Sequence, residues 1–309
     1  MHQMKRYLPL VACAALCAPL PLLAQDTKTH PAPSEIVAAA KADEWVAIKS
    51  SDLMIMDLAP DSTGKPRRVV IQLMPAPFSQ GWVGNIRKLA AAQWWDGTSI
   101  NRVQDNYVAQ WGDATEKKAL PEGLATVGAK DYITPEWPTK DWIFAQVDGR
   151  PDAYAAANGF YVGWPLAQGR EGLWPIHCYA MVGVGRNLSP DTGSGAELYT
   201  VIGHAPRHLD RNIALVGRVI EGIEHLSSLP RGTGALGFYE KEEERVPILS
   251  VRFGNELRDA PAFEYLDTDS ASFAAYADAR ANRRDPFFNV PAGGADICNI
   301  PVPIRRKAK

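Results

Sequence analysis

Residues 94–113 read Trp94-Trp95-Asp96-Gly97-Thr98-Ser99-Ile100-Asn101-Arg102-Val103-Gln104-Asp105-Asn106-Tyr107-Val108-Ala109-Gln110-Trp111-Gly112-Asp113. Asp96-Gly97 marks a turn, Thr98 to Val103 is a strand-like run, and a second run, Tyr107 to Gln110, follows Asn106 and closes at Gly112-Asp113. Alternation bounded by turn residues predicts two short β-segments joined by a polar turn. Arg102 stands out as a fixed positive charge among side chains that read as half buried. Tyr107, Val108 and Gln110 follow within eight residues, so an aromatic ring, an aliphatic side chain and an amide can share a surface with the guanidinium. An apolar floor with few donors is the composition of a binding pocket.

This stretch resembles the signature of the cyclophilin family of peptidyl-prolyl cis/trans isomerases. That signature is a Phe-His-Arg-Val type strand, a short turn, then Phe-Met-x-Gln-Gly-Gly-Asp. Here it stands as Ile100-Asn101-Arg102-Val103, a turn over Gln104-Asp105-Asn106, and Tyr107-Val108-Ala109-Gln110-Trp111-Gly112-Asp113, in order and without a gap. Upstream, Val83-Gly84-Asn85-Ile86-Arg87-Lys88-Leu89 is similar to the family's first helix. Helical spacing puts Val83, Ile86, Leu89 and Ala90 on one face, with Asn85, Arg87 and Lys88 turned away.

Downstream, Met181-Val182-Gly183-Val184-Gly185 resembles the family's Met-Ala-Asn-Ala-Gly, which implies that the Gly183 N–H meets a carbonyl of the bound peptide. Glu197-Leu198-Tyr199-Thr200 resembles Gln-Phe-Phe-Ile, which implies that Tyr199 floors the proline pocket. Glu197 replaces the Gln, an acid that would favour basic residues in the peptide. His208-Leu209-Asp210-Arg211-Asn212-Ile213 is similar to Trp-Leu-Asp-Gly-Lys-His, and Ala214 to Gly222 matches the strand that follows. Leu209 is kept, whereas His208 and Ile213 replace two rings of the pocket. Four ordered matches across Arg68 to Gly222 imply a mainly β fold with flanking helices, a closed antiparallel β-barrel spanning 44–254.

The chemistry implied by the resemblance needs no nucleophile, cofactor or metal. An X-Pro amide turns slowly because resonance is lost over a barrier of about 18–20 kcal/mol. Arg102 would donate to the twisted amide, Gln110 would orient Arg102 or the peptide, and Tyr107, Val108, Tyr199, Leu209 and Ile213 would hold the proline ring, with His208 at the pocket's edge. His204 and His208 are four apart, but Pro206 between them opposes a helical metal site. The competing class is a cyclophilin-fold chaperone or peptide-binding module with little or no turnover, and a third is an envelope interaction protein using the tryptophans of the insertion.

The flanks supply the rest. Met1 to Ala24 has Lys5 and Arg6 before an apolar run from Tyr7 to Leu23, the pattern of a cleaved secretory signal. Lipidation at Cys13 would require an unusually short apolar region. Residues 25–43 read as a leader, with a short helix from Ser34 to Ala42. Trp45 to Leu58 and Arg68 to Leu73 read as the opening hairpin of the barrel. The insertion, 114–180, carries Trp137, Trp142, Trp164 and Trp174, with a strand around Gly159–Gly163 and a helical turn at Asp152–Ala157. Four tryptophans predict packing on the barrel, as auxiliary core or as a wall that touches substrate.

Arg186 to Gly195 is a loop and Arg245 to Phe253 a closing strand whose Pro247 points to an edge. The C-terminal extension, 255–309, includes a helix with Phe273, Tyr276 and Ala277 at helical spacing. Removing the signal leaves Cys178 and Cys298 of the four cysteines, so an exported chain suggests a disulfide between them, the other reading being two buried thiols. A net charge of −2 with interspersed signs gives no nucleic-acid footprint. The expectation is a periplasmic monomer without a membrane span, acting on proline-containing segments of exported proteins.

Overall fold

The computed structural model describes residues 30–135 and 152–307. The expected signal, the start of the expected leader, Trp137 and Trp142 lie outside these residues. In chain order the strands are β1 (Trp45–Ala47), β2 (Leu53–Leu58), β3 (Arg67–Leu73), β4 (Ser99–Val103), β5 (Val108–Gly112), β6 (Ala157–Tyr161), β7 (Trp164–Gly169), β8 (Gly172–Pro175), β9 (Met181–Val184), β10 (Leu198–Val201), β11 (Leu215–Glu221), β12 (Val246–Phe253), β13 (Phe263–Leu266) and β14 (Ile304–Arg306). The helices are α1 (Pro33–Ala39), α2 (Gln80–Ala91), α3 (Glu224–Ser227) and α4 (Ala271–Ala281).

Eight strands close an antiparallel barrel in the order β10-β5-β4-β12-β2-β3-β11-β9. Closure leaves no barrel edge, so Pro247 is not at one. It opposes Ser99 where the pairing of β12 with β4 begins, beside an irregularity in the pairing of β12 with β2. A register break can take a residue that lacks an N–H.

β2 reads as an almost continuous apolar run because both its faces are buried. Met54, Met56 and Leu58 join Val69, Ile71 and Leu73 in the main core, while Leu53, Ile55 and Val70 pack outward against Phe263 and Tyr265. The outer cover is a second sheet, β1-β13-β14. Trp45 to Ala47, expected in the opening hairpin, pairs there with Glu264 to Leu266 instead. The C-terminal extension therefore shields the outside of the barrel and leaves the hairpin to β2 and β3.

The insertion forms a third antiparallel sheet, β6-β7-β8. Trp164 and Trp174 are buried in the same core as the barrel, so they act as auxiliary core. Residues 152–156 form a loop rather than the expected helical turn. Asp152 accepts there from the Tyr154 N–H and from Asn158 Nδ2, local bonds that compete with a helix. Barrel and insertion meet at Arg218, whose Nε and one Nη donate to Gln72 Oε1 at 2.9 and 2.7 Å, its other Nη donating to the Gly163 carbonyl at 2.7 Å. Its guanidinium lies 4.3 Å from the Trp164 ring centroid, and burial lowers its pKa to about 9.

Helix α2 buries Val83, Ile86, Leu89 and Ala90 as its spacing predicts. Asn85, expected to face away, is buried as well. Its amide donates to the Ala125 and Ser194 carbonyls at 2.9 and 3.0 Å and accepts from the Ala125 N–H at 2.7 Å. Trp82 Nε1 donates to the Gly193 carbonyl at 3.0 Å and Trp95 Nε1 to the Ala196 carbonyl at 2.8 Å. Helical periodicity sorts apolar from polar residues; it does not reveal a polar side chain buried to satisfy a loop. Together these bonds fasten the 186–196 loop, one wall of the groove described below.

Cys178 and Cys298 form a disulfide across 120 residues, tying the C-terminal tail to the start of β9. No described helix is long and apolar enough to cross a membrane. Cys298→Ser is expected to cost about 5 kcal/mol by the chain-entropy relation for a 120-residue loop. At roughly 2–4 °C per kcal/mol the loss is readable as a lowered Tm by calorimetry, and an unchanged Tm would show that packing alone holds the tail.

Candidate active site

Strands β4 and β5, the 186–196 loop, the start of β10 and the 236–239 segment enclose a groove of about 760 Å³. The hairpin read from residues 98–112 supplies one wall. Arg102 opposes Gln110 across β4 and β5, so strand register alone sets the two side chains next to each other. Arg102 Nη1 donates to Gln110 Oε1 at 3.1 Å, a second Nη donates to Gln104 Oε1, and Nε donates to the Leu236 carbonyl at 2.8 Å. The Tyr107 and Phe238 ring centroids lie 5.8 and 5.3 Å from its Cζ. Burial lowers its pKa from the ordinary arginine value, and among the described residues no carboxylate pairs with it. A guanidinium has five donor N–H groups. Three are engaged here, which leaves two for a ligand.

The apolar part of the groove is a compact cluster. Val108, Tyr199 and Val201 are buried together, with Tyr107 and Ile213 packed against them. Arg102, Tyr107, Val108, Gln110, Glu197, Tyr199 and Ile213 all line the groove, so most of the residues singled out in the sequence meet in one place. Gly183, His208 and Leu209 do not line it. Gly183 sits within the barrel wall, opposite Tyr199 on one side and Leu215 on the other, and a Cβ there would collide with the Tyr199 ring. His208 and Leu209 belong to a 3₁₀ turn, Arg207–Leu209, anchored by its buried first residue, Arg207, and by the buried Asp210 that follows it.

Glu197 is drawn inward. Its Oε1 accepts from the Asp113 N–H at 2.8 Å, and its carboxylate occupies the space beside Gly112, where a Cβ would overlap it. Gly112 has φ +153°, so glycine is needed there for conformation as well as for room. Burial raises the Glu197 pKa, while the Asp113 N–H and the Asn101 and Gln110 side chains pull it down. Gln110 therefore touches both the arginine and the acid.

Sequence reading missed Leu236 and Phe238, which hold Arg102 from the other side of the groove. Leu236 has φ +56° and Phe238 forms a β-bridge to Arg102, a pairing between segments more than a hundred residues apart that no local pattern marks. It also missed His177, which is fully buried and bonded to the Tyr199 hydroxyl. The available signal was a single histidine in the apolar run Trp174-Pro175-Ile176-His177-Cys178, since a polar group in such a run must find a buried partner.

The family model described as Cyclophilin type peptidyl-prolyl cis-trans isomerase/CLD matches residues 62–253. This chain belongs to that family, and its enzyme class is peptidyl-prolyl cis/trans isomerase. Among solved structures, cyclophilin AquaCyp293 from Hirschia baltica is 22% identical, with 85% of this chain and 93% of that chain covered at a TM-score of 0.65. The similarity shows a shared fold. A cyclophilin type peptidyl-prolyl cis-trans isomerase from Cryptosporidium parvum is 12% identical over 65% of this chain and 97% of its own, with a TM-score of 0.40. No curated protein matches the chain.

The raised Glu197 pKa has a direct consequence for stability. A carboxyl whose folded pKa lies above its unfolded value contributes stability that is present below the unfolded pKa and is lost as pH rises through the folded one. Glu197→Gln, which keeps the acceptor for the Asp113 N–H, is expected to raise Tm at pH 7 by about 2–4 °C for each kcal/mol recovered, with the gain vanishing near pH ~4. Differential scanning fluorimetry at both pH values reads this out, and an equal gain at both would mean that the ionised form carries no penalty.

Proposed function

We propose that this enzyme accelerates rotation about Xaa-Pro bonds in exported proteins, with Arg102 stabilising the twisted amide over a floor of Val108, Tyr199 and Ile213. The observation that carries the reading is Arg102 itself, held by Gln104 and Gln110 on one side of the groove and by the Leu236 carbonyl on the other, and retaining two N–H groups beside the groove's apolar floor. As the C–N bond twists, the prolyl nitrogen loses conjugation and its lone pair becomes a hydrogen-bond acceptor. A donor fixed beforehand strengthens its bond only at that point, so it lowers the barrier without tightening ground-state binding.

Arginine suits this task because its planar fork is always protonated and can reach both the nitrogen and the preceding carbonyl oxygen. Gln110 orients the guanidinium, and Glu197 in turn steadies Gln110. The half-buried setting strengthens each contact by lowering the local dielectric. Export is supported by the signal-like Met1 to Ala24 and by the Cys178–Cys298 disulfide, a bond that persists in oxidising compartments. The clients are then proline-containing segments of proteins folding in a periplasm.

Arg102→Ala is expected to lower kcat/KM for a short Xaa-Pro peptide by about 10²–10³-fold, the scale for losing a preorganised donor, with Tm nearly unchanged. Arg102→Lys restores charge but not the fork and recovers little. A protease-coupled or NMR exchange assay on the mature chain makes the measurement. Full activity in Arg102→Ala would overturn the donor role, and tight peptide binding without turnover in the wild type would identify a binding module instead.

A further inference from the structure

The floor of the groove is a tyrosine whose hydroxyl points into the protein. Tyr199 is buried, and its Oη lies 3.0 Å from His177 Nε2. His177 Nδ1 is 2.8 Å from Asp210 Oδ1, which also accepts the His177 backbone N–H at 3.0 Å. Asp210 Oδ2 accepts from Arg207 Nε at 2.7 Å, and Arg207 Nη2 donates to Asp152 Oδ2 at 2.9 Å. Each link answers the desolvation cost of the one before it. A buried hydroxyl needs an acceptor, a buried imidazole needs its proton placed, a buried carboxylate needs a donor, and a buried guanidinium needs a second carboxylate.

The carboxylate also settles the tautomer. Asp210 can only accept, so Nδ1 carries the proton, Nε2 is the acceptor, and the Tyr199 hydroxyl donates. Burial pushes the His177 pKa down against the pull of Asp210, which favours the neutral ring and its Nε2 acceptor. Arg207, although burial opposes its charge, is held above the ordinary arginine value by Asp210 and Asp152. A phenylalanine floor would need none of this. With tyrosine, the ring's position over Gly183 is set by a hydrogen bond as well as by packing.

The chain of contacts crosses the fold. Asp152 and His177 belong to the insertion, Tyr199 lies on β10, and Arg207 and Asp210 lie at the turn before β11. His177 is bonded in sequence to Cys178, so the disulfide pins the residue that holds the floor.

We propose that His177 is a positioning residue for the proline pocket, acting through the Tyr199 hydroxyl, and that the Asp210–Arg207–Asp152 chain behind it makes the insertion part of the pocket's support. The inference rests on the reading of the groove as the isomerase site. It assigns His177 a role in substrate affinity, since a shifted floor weakens the seat of the proline ring while Arg102 stays in place.

The test is a double-mutant cycle on the full mature chain with an Ala-Pro peptide, reading KM and kcat separately at a temperature where circular dichroism shows every variant folded. His177→Leu strands the Tyr199 hydroxyl and is expected to raise KM about three- to tenfold, the scale of one lost buried hydrogen bond, with kcat within about twofold. In the Tyr199→Phe background no hydroxyl needs an acceptor, so adding His177→Leu is expected to change KM by less than about twofold relative to Tyr199→Phe alone. An equal rise in KM in both backgrounds would reduce His177 to general packing and overturn the proposal, as would an unchanged KM in His177→Leu. Arg102→Ala runs alongside. An inactive wild type sinks the isomerase reading and this inference with it, whereas an active wild type, an impaired Arg102→Ala and an indifferent His177→Leu sink only the inference.

Discussion

Arg102 carries a positive charge into a half-buried groove where, among the described residues, no carboxylate meets it. An unpaired buried charge is costly, so neutral acceptors must compensate. Leu236 O, Gln104 Oε1 and Gln110 Oε1 are those acceptors, and they come from two sides of the groove. A carboxylate would have satisfied the guanidinium more fully and left less of it for an amide in the transition state. Neutral partners hold the fork in place and keep its field directed at the groove. The closed barrel makes this possible, because the β4–β5 register puts Gln110 opposite Arg102 while the 236–239 segment bridges back onto β4.

The same rule, that each buried polar group must be answered, organises the rest of the molecule. Arg218 is answered by Gln72, the Gly163 carbonyl and the Trp164 ring, which joins the insertion to β3 and β11. Asn85 is answered by the 125 and 194 backbones, which fastens the groove's loop to α2. The tyrosine at the floor is answered by a histidine from the insertion. In each case a polar contact joins segments distant in sequence, and the surrounding apolar core supplies the driving force that holds them together.

Much of this was legible in residue order. The β4–β5 hairpin, the β2–β3 pair, α2 and the closing strand follow from alternation, helical spacing and turn residues, all of them local properties. Cys178 and Cys298 were the only cysteines outside the signal-like segment, and they pair. The groove residues on β4, β5 and β10 were found because one resemblance covers them in order. Trp45 to Ala47 was misplaced because a three-residue strand has no marker of which sheet it joins. Asn85 was misplaced because periodicity sorts residues by polarity, whereas its burial depends on a loop about forty residues downstream in the chain.

What the sequence by itself determined is the set of side chains available: a fixed cation on a strand, an amide eight residues on, an aromatic floor, and an apolar pattern able to close a barrel around them. Only the tertiary structure decided how those groups are spent. It turned Glu197 inward to Asp113 and Gln110, hid Gly183 under the Tyr199 ring, left His208 and Leu209 outside the groove, and brought His177 beneath its floor. The physical reason is that propensity and periodicity act over a few residues, whereas desolvation and hydrogen-bond partnership depend on which distant segments pack together.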